Sequence, residues 1–177
     1  MAELIPSVDL IGPVPAKKRN EFKTATLLAE YLPPLFRVFH SVHWATQNCD
    51  KTFLGEIDFI VLAPTGRLLL IEQKNGDLHE DKGGVSKLYR GQKKSVHMQM
   101  NRNLENLQTA FESRNGQKLD LDLLMYCPDY TVNNKAIAGI PTDRIVDFPK
   151  ADLLPEIVRH VLGERALARQ TCFDVEM

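Results

Sequence analysis

Three charged side chains stand at the ends of two apolar strands in the segment 56–76, and their types and positions suit chemistry. Asp58 opens the first strand, and Glu72 and Lys74 close the second. Burying a carboxylate or an ammonium group is costly unless the group is paired or binds a metal. We therefore predict that these side chains form a functional site. The competing interpretation is a structural ion pair at the end of a sheet.

The strand pattern predicts that the three charges converge. Glu72 and Lys74 are two residues apart, so both project from one face of their strand. The short turn at 64–67 brings the start of the Asp58 strand beside the end of the other strand. Two carboxylates in one site repel each other and take up a proton unless a cation lies between them.

A hard divalent cation fits that pair of carboxylates. Mg²⁺, or Mn²⁺ in its place, takes oxygen ligands and is commonly completed by water and a substrate phosphate. The metal lowers the pKa of a bound water and screens charge on a phosphoryl group, and Lys74 would neutralise the charge that develops. The residues therefore indicate metal-assisted hydrolysis of a phosphodiester. A zinc site is not expected, because the three cysteines lack paired spacing.

The elements that must position these residues follow from the apolar periodicity. Helices are predicted at 20–32, 96–114 and 152–162, strands at 35–44, 58–63, 68–74, 121–127, 137–140 and 144–148, and a hairpin with arms at 77–80 and 85–90. We expect Gly163 to end the last helix. This order predicts an α/β fold with a central mixed sheet flanked by helices, rather than a doubly wound nucleotide fold.

The hairpin region carries the densest positive charge of the chain, at Lys82, Lys87, Arg90, Lys93 and Lys94. In a protein of net charge −1, such a cluster favours contact with phosphates, although a solvated turn is the alternative. We predict nucleic acid as the partner, DNA above all. Contacts should be mainly to its backbone, because no helix carries a base-reading cluster.

With these residues in place, the chain resembles the nuclease-related domain (NERD) family of the PD-(D/E)xK nuclease superfamily. The resemblance covers roughly 21–148 and rests on Glu56-Ile57-Asp58 followed by Ile71-Glu72-Gln73-Lys74-Asn75. It implies a restriction-endonuclease-like core and a Mg²⁺-dependent deoxyribonuclease. Ile57 stands where the superfamily's name has a proline, as in divergent members, and this departure removes no ligand.

The resemblance also implies a ligand set. Asp58 and Glu72 would bind the metal, and the backbone carbonyl of Gln73 would be a third ligand. Glu21 would reach the metal directly or through water. A glutamate in the first turn of a helix also suits the helix dipole without any catalytic role, so both interpretations of Glu21 stay open.

Two further roles come from the same resemblance. Lys74 would be the catalytic cation. Gln99, on the helix after the hairpin, would support the site or contact substrate, with Gln92 and Gln108 as alternatives.

The totals fit one domain: 177 residues, 44% of them hydrophobic. We expect 1–18 to be an extended leader, 19–163 the nuclease-related domain and 164–177 a tail that begins a linker to a domain not present here. No apolar run approaches the roughly 20 residues that span a bilayer, and no signal-peptide order is present. We therefore expect a cytoplasmic protein without membrane contact.

The competing hypothesis is a non-catalytic module that binds nucleic acid or regulates a larger DNA-processing protein such as a helicase. Relatives of this type often stand at the N-terminus of longer proteins. Homodimer formation is a further arrangement that the sequence leaves open.

Overall fold

The computed structural model describes residues 1–7, 15–48 and 51–173. Within these residues lie three α-helices and nine β-strands. The helices are α1 (Arg19–Tyr31), α2 (Val96–Asn115) and α3 (Leu154–Phe173); the strands are β1 (Glu3–Ile5), β2 (Arg37–Asn48), β3 (Lys51–Leu62), β4 (Leu68–Gln73), β5 (His79–Asp81), β6 (Gly84–Tyr89), β7 (Gln92–Ser95), β8 (Leu121–Cys127) and β9 (Ile145–Asp147).

Six strands form a mixed sheet in the order β1-β2-β3-β4-β8-β9. The β2–β3 and β3–β4 pairs are antiparallel, whereas β1–β2, β4–β8 and β8–β9 are parallel. The hairpin region forms a second, antiparallel sheet in the order β5-β6-β7. The predicted α/β restriction-endonuclease-like core, with a mixed sheet flanked by helices, is confirmed.

Helices cover both faces of the large sheet. Leu28 of α1 and Val158 of α3 pack with Phe59 and Ile71 on one face. On the other face, Met100 of α2 packs with Met125 of β8, and further α2 leucines pack beside Leu70 of β4. Burying each large apolar side chain contributes about 1.5–3 kcal/mol. Strand β4, at the centre, is therefore a rigid platform for whatever follows its last residue.

The helix ends are defined by local chemistry. Pro33 and Pro34 follow α1 and cannot continue it. The hydroxyl of Ser95 accepts a hydrogen bond from the Met98 N–H at the start of α2. Gly116 ends α2 in the left-handed conformation at φ 66°.

The turn between β3 and β4 is connected to α3 by a hydrogen bond. Buried Arg67 donates from Nη1 to the carbonyl oxygen of Val161 at 2.7 Å. The guanidinium also lies 3.5 Å from a carboxylate oxygen of Asp120. This contact joins the hairpin that carries the predicted site to the last helix.

Several element predictions need correction. The predicted strand at 137–140 is wrong: Lys135–Ile137 is a 3-10 turn, and Gly139 then takes a left-handed φ of 70° against the His97 ring. Gly163 does not end α3, because a glycine inside a helix costs only about 1 kcal/mol and helix-forming residues follow it. Strand β7 was not predicted, since its residues are mostly polar.

The first residues are tied into the sheet. Glu3–Ile5 pairs in parallel with β2 at the sheet edge, and a 3-10 turn at Ala16–Lys18 leads into α1. The part of the predicted leader at 8–14 lies outside the described residues. In the part of the chain that the structure describes, no helix is both long and apolar enough to cross a membrane.

Candidate active site

Asp58 lies where β3 parts from β4. The β3–β4 ladder ends at the Phe59–Ile71 pair. Beyond it, the Gln73 N–H donates to Asp58 Oδ2 at 2.8 Å instead of to a strand carbonyl. The Asp58 carboxylate therefore serves as the hydrogen-bond partner of β4 at the point where the two strands separate.

The neighbouring strand is distorted at the same level. Ser41 takes a positive φ of 52°, and the β2–β3 ladder is interrupted between the His40–Phe59 and Val42–Ile57 pairs. In a regular strand, the side chain of an aspartate at this position would point to one face of the sheet. The interruption instead leaves the Asp58 side chain at the gap between β3 and β4.

Glu72 is buried on β4, with 4% of its surface exposed. The Lys74 ammonium donates to Glu72 Oε1, and Gln99 Nε2 of α2 donates to the same oxygen at 2.6 Å. Of the three glutamines considered from the sequence, Gln99 is therefore the one that the structure brings to Glu72. Gln92 begins β7 and Gln108 lies farther along α2.

Gln73 lies between the two acidic residues. Its backbone amide holds Asp58, while its side chain points away and donates from Nε2 to Asn75 Oδ1 at 2.8 Å. The parallel pairing of β4 with β8 continues to the Gln73–Tyr126 pair. The next amide, that of Lys74, donates to the Tyr126 carbonyl at 2.8 Å, so the backbone of the motif is fixed by β8.

Two more carboxylates reach the site. Oxygens of Glu21, Glu56 and Asp58 all lie within 4.8 Å of one another. Glu21 is in the first turn of α1, and Glu56 precedes Asp58 by two residues on β3. We call Glu21, Glu56, Asp58 and Glu72 the carboxylate cluster.

A second lysine sits against this cluster. Lys18 Nζ lies 2.7 Å from Glu21 Oε2 and 2.5 Å from Glu56 Oε1. Burial lowers the pKa of Lys18, but its hydrogen bonds to the two glutamates outweigh burial and raise the pKa overall. Burial raises the pKa of Glu56, but Lys18 outweighs it and the pKa falls. This pair is therefore ionised.

Sequence reasoning missed Lys18 and used Glu56 only as part of a motif. The signals for both were present. Glu56 is two residues from Asp58 on a strand, so the two share a side of it, and Lys18 is three residues before Glu21, a spacing at which helix side chains meet. The 38 residues between Lys18 and Glu56 hide their contact from the sequence.

Helix α2 supports the carboxylate cluster through a buried asparagine. Asn103, 3% exposed, donates from Nδ2 to the Glu56 carbonyl at 3.0 Å and accepts from Trp44 Nε1 at 3.3 Å. The Trp44 ring lies against Gly55, where an added Cβ would come within 2.1 Å of the ring. These contacts fix the backbone just ahead of Asp58.

The two central carboxylates, Asp58 and Glu72, both have raised pKa values. Burial raises the pKa of Asp58 to about 7, with further repulsion from Glu72 and partial relief from Lys74. Burial also raises the pKa of Glu72, against the opposing effect of Lys74. Such shifts are typical of sites that bind a cation or transfer protons.

The donor set fits a hard divalent cation. Once all four carboxylates are ionised, the two bound ammonium groups of Lys18 and Lys74 leave two negative charges. All four acidic side chains offer oxygen ligands, which Mg²⁺ and Mn²⁺ prefer. The cluster therefore offers the oxygen ligands and the negative charge that a divalent metal requires.

The five predicted phosphate-binding residues do not form one surface. Lys87 is half-buried, and its ammonium donates to the Asn75 carbonyl beside the site; burial and repulsion from Lys74 lower its pKa. Lys93 is paired with Asp81 at 2.8 Å. Lys82, Arg90 and Lys94 are exposed.

A groove of about 760 Å³ runs between β7 and the first turns of α2. Lys94, Arg102 and Gln99 are among the residues that line it. Gln99 also donates to Glu72, so one residue contacts both the groove and the carboxylate cluster.

The family model of the nuclease-related domain matches residues 16–132, about two thirds of the chain. This range contains the whole carboxylate cluster together with Lys18, Lys74 and Gln99. No curated protein and no solved structure matches the chain at a significant level.

Proposed function

The chain belongs to the nuclease-related domain family, and from this premise we propose that it is a metal-dependent nuclease that hydrolyses phosphodiester bonds of DNA. The observation that supports this most is the pairing of half-buried Asp58 with buried Glu72, both with raised pKa values, beside Lys74. A structural ion pair between Lys74 and Glu72 has no need of a second carboxylate with a raised pKa.

The proposed metal ligands are Asp58, Glu72, the Gln73 carbonyl and Glu21, directly or through water. Glu56 joins this set because its carboxylate lies with those of Glu21 and Asp58. The proposed ion is Mg²⁺, with Mn²⁺ as a substitute. When bound, the ion would supply a water of lowered pKa and positive charge next to the phosphate.

The protein's own groups prepare the site for that chemistry. Lys74 is held by Glu72, so its ammonium is already placed to neutralise charge on the phosphate in the transition state. Gln99 holds Glu72 from α2 in one orientation. Asp58 must lose its proton before it can bind a cation, so activity should rise as the pH passes about 7.

DNA would approach along the groove between β7 and α2. The groove is lined by Lys94 and Arg102, and also by Gln99, which contacts Glu72. Lys87 lies beside Lys74 at the edge of the site. Cations in this arrangement bind a phosphate backbone with little regard to base sequence.

The test is cleavage of plasmid and end-labelled DNA with Mg²⁺ or Mn²⁺, using the wild type, Asp58→Asn and Lys74→Met. We expect Asp58→Asn to be inactive and Lys74→Met to lose about 10²–10³-fold in rate. Asp152→Asn and Lys150→Met change the same charges on an exposed turn and should leave cleavage unchanged. A folded Asp58→Asn protein that cleaves like the wild type would refute the proposal.

One observation favours a second candidate, a non-catalytic module that binds nucleic acid. The Lys18 ammonium already occupies the space between Glu21 and Glu56, as an internal cation in a site that binds no metal would. Calorimetric titration with Mg²⁺ and Mn²⁺, with and without DNA, separates the two. Metal binding that Asp58→Asn loses supports the nuclease, and DNA binding without any metal binding supports the module.

A further inference from the structure

The small β5-β6-β7 sheet has one face that begins at the candidate active site. Lys87 and Tyr89 alternate along β6 and therefore project from the same face. Lys94 of β7 is the register partner of Lys87 and lies on that face too. Because the Lys87 ammonium reaches the Asn75 carbonyl, this face continues directly from the motif that carries Glu72 and Lys74.

An exposed aromatic ring stands on this face among cations. Tyr89 is 55% exposed, with Lys94 Nζ 5.0 Å and Arg90 Cζ 5.6 Å from the ring centroid. Among the described residues, neither Arg90 nor Lys94 pairs with a carboxylate. We call Lys87, Tyr89, Arg90 and Lys94 the Tyr89 face.

The opposite face of the same small sheet differs in its side chains and in its charge. Leu88 and Lys93 lie there, opposite each other in the register. The charge of Lys93 is neutralised by Asp81 at 2.8 Å. Positive charge that is free to meet phosphate is therefore concentrated on the side that also carries the aromatic ring and adjoins the site.

An aromatic ring surrounded by cations suits an unpaired base with its phosphates. In a duplex the bases are stacked on one another and a surface ring cannot reach their faces. In single-stranded DNA each base has a free π-face, and proteins bind it with aromatic side chains in a basic groove. Tyr89 lies two residues from Lys87, about 7 Å along the strand, so a stacked base would belong to a nucleotide beside the cleavage position.

We propose that the Tyr89 face binds an unpaired stretch of DNA, with the Tyr89 ring stacked on a base and Arg90 and Lys94 on the neighbouring phosphates. The substrate class is therefore single-stranded DNA or a frayed or overhanging end, in preference to a blunt duplex. This inference rests on the proposed function for the identity of the site, but its binding step does not require cleavage.

The test is equilibrium binding of the full chain to a fluorescein-labelled single strand and to a blunt duplex of the same length, without divalent metal. Stacking of one base corresponds to about a 5- to 150-fold loss of affinity when the ring is removed. We expect Tyr89→Ala to show that loss for the single strand and little change for the duplex. Tyr89→Phe, which keeps the ring, should bind like the wild type.

Two further variants complete the design. Tyr31→Ala removes a tyrosine that is 60% exposed on α1 and should bind both DNAs normally. Lys94→Gln should lower the slope of log affinity against log salt by about 0.7 for the single strand. Equal losses for single strand and duplex, or no loss with Tyr89→Ala, would overturn the inference.

The outcomes separate this inference from the proposed function. Cleavage that persists while Tyr89→Ala binds single strands normally overturns the Tyr89 face alone. A wild type that cleaves no DNA with any metal, but shows the expected Tyr89 pattern in binding, overturns the nuclease and leaves the face in place.

Discussion

Replacing Asp58 with asparagine should make the metal-free protein more stable at alkaline pH. The folded protein holds the Asp58 proton with a pKa of about 7, whereas an aspartate in an unfolded chain has a pKa of about 4. The folded state therefore binds this proton more tightly than the unfolded state does. Stability from this group is present at low pH and is lost as the pH rises from about 4 to about 7.

The size of the effect follows from the two pKa values. A difference of about 3 units corresponds to about 4 kcal/mol in the free energy of unfolding, of which about 3 kcal/mol is lost between pH 5 and pH 8.5. The asparagine variant carries no charge there, and its side-chain oxygen still accepts the Gln73 N–H. For a domain of this size, about 3 kcal/mol corresponds to a shift of about 6–12 °C in the melting temperature.

The assay is thermal and urea unfolding of both proteins in EDTA at pH 5, 7 and 8.5. Titrating groups far from Asp58 change the stability of both proteins alike, so the difference between them reports Asp58 together with the neighbouring charges that act on it, those of Glu72, Lys74 and Glu21. We expect the advantage of Asp58→Asn to grow by about 3 kcal/mol from pH 5 to pH 8.5. Adding Mg²⁺ at pH 8.5 should stabilise only the wild type, because a ligand stabilises the state that binds it. Parallel pH curves for the two proteins would refute the electrostatic account of the site.

Three other predictions concern single contacts. Lys18→Met should tighten divalent metal binding roughly tenfold in calorimetry, because one repulsive charge near a surface is worth about 1–4 kcal/mol; weaker binding would show that Lys18 does not compete with the metal. Gln99→Leu removes a donor to Glu72 and should raise the pH midpoint of metal binding by about one unit. An unmoved midpoint would contradict that role. Arg67→Met should lose the buried bond to Val161 and cost about 3–5 kcal/mol in urea unfolding, with unchanged stability as the contrary result.

The central strands and their charges were predictable because apolar alternation is a local property. The apolar runs on either side of the turn at 64–67 identify β3 and β4. That turn fixes the register between the two strands. Glu72 and Lys74 then fall at the end of β4 by counting alone. Gln99 was reached only through the family resemblance, with Gln92 and Gln108 as alternatives, and its contact with Glu72 required the structure.

The rest depended on contacts between distant segments. In the sequence, Lys18 follows a proline-rich stretch and has the pattern of a mobile surface cation. Only the packing of α1 on the sheet brings its ammonium to Glu56. Strand β7 is polar because it lies on a solvent-exposed sheet, so it has no apolar period to reveal it. The 3-10 turn at Lys135–Ile137 follows an asparagine cap, a local hydrogen bond that competes with extended structure.

The register of the β2–β3 ribbon has a consequence for how this family can vary. Partners continue in one unbroken numerical register on both sides of the interruption at Ser41 and Asp58. Adding or deleting residues in matched pairs beyond Trp44–Gly55 would lengthen or shorten the ribbon without moving Asp58 or Glu56. Inserting or deleting one residue between Asp58 and Glu72 would instead shift the register by one position. An apolar side chain would then take the place of one of the two acids. Evolution is therefore free to vary the outer ribbon in length, whereas the spacing of the two acids is fixed by the hairpin.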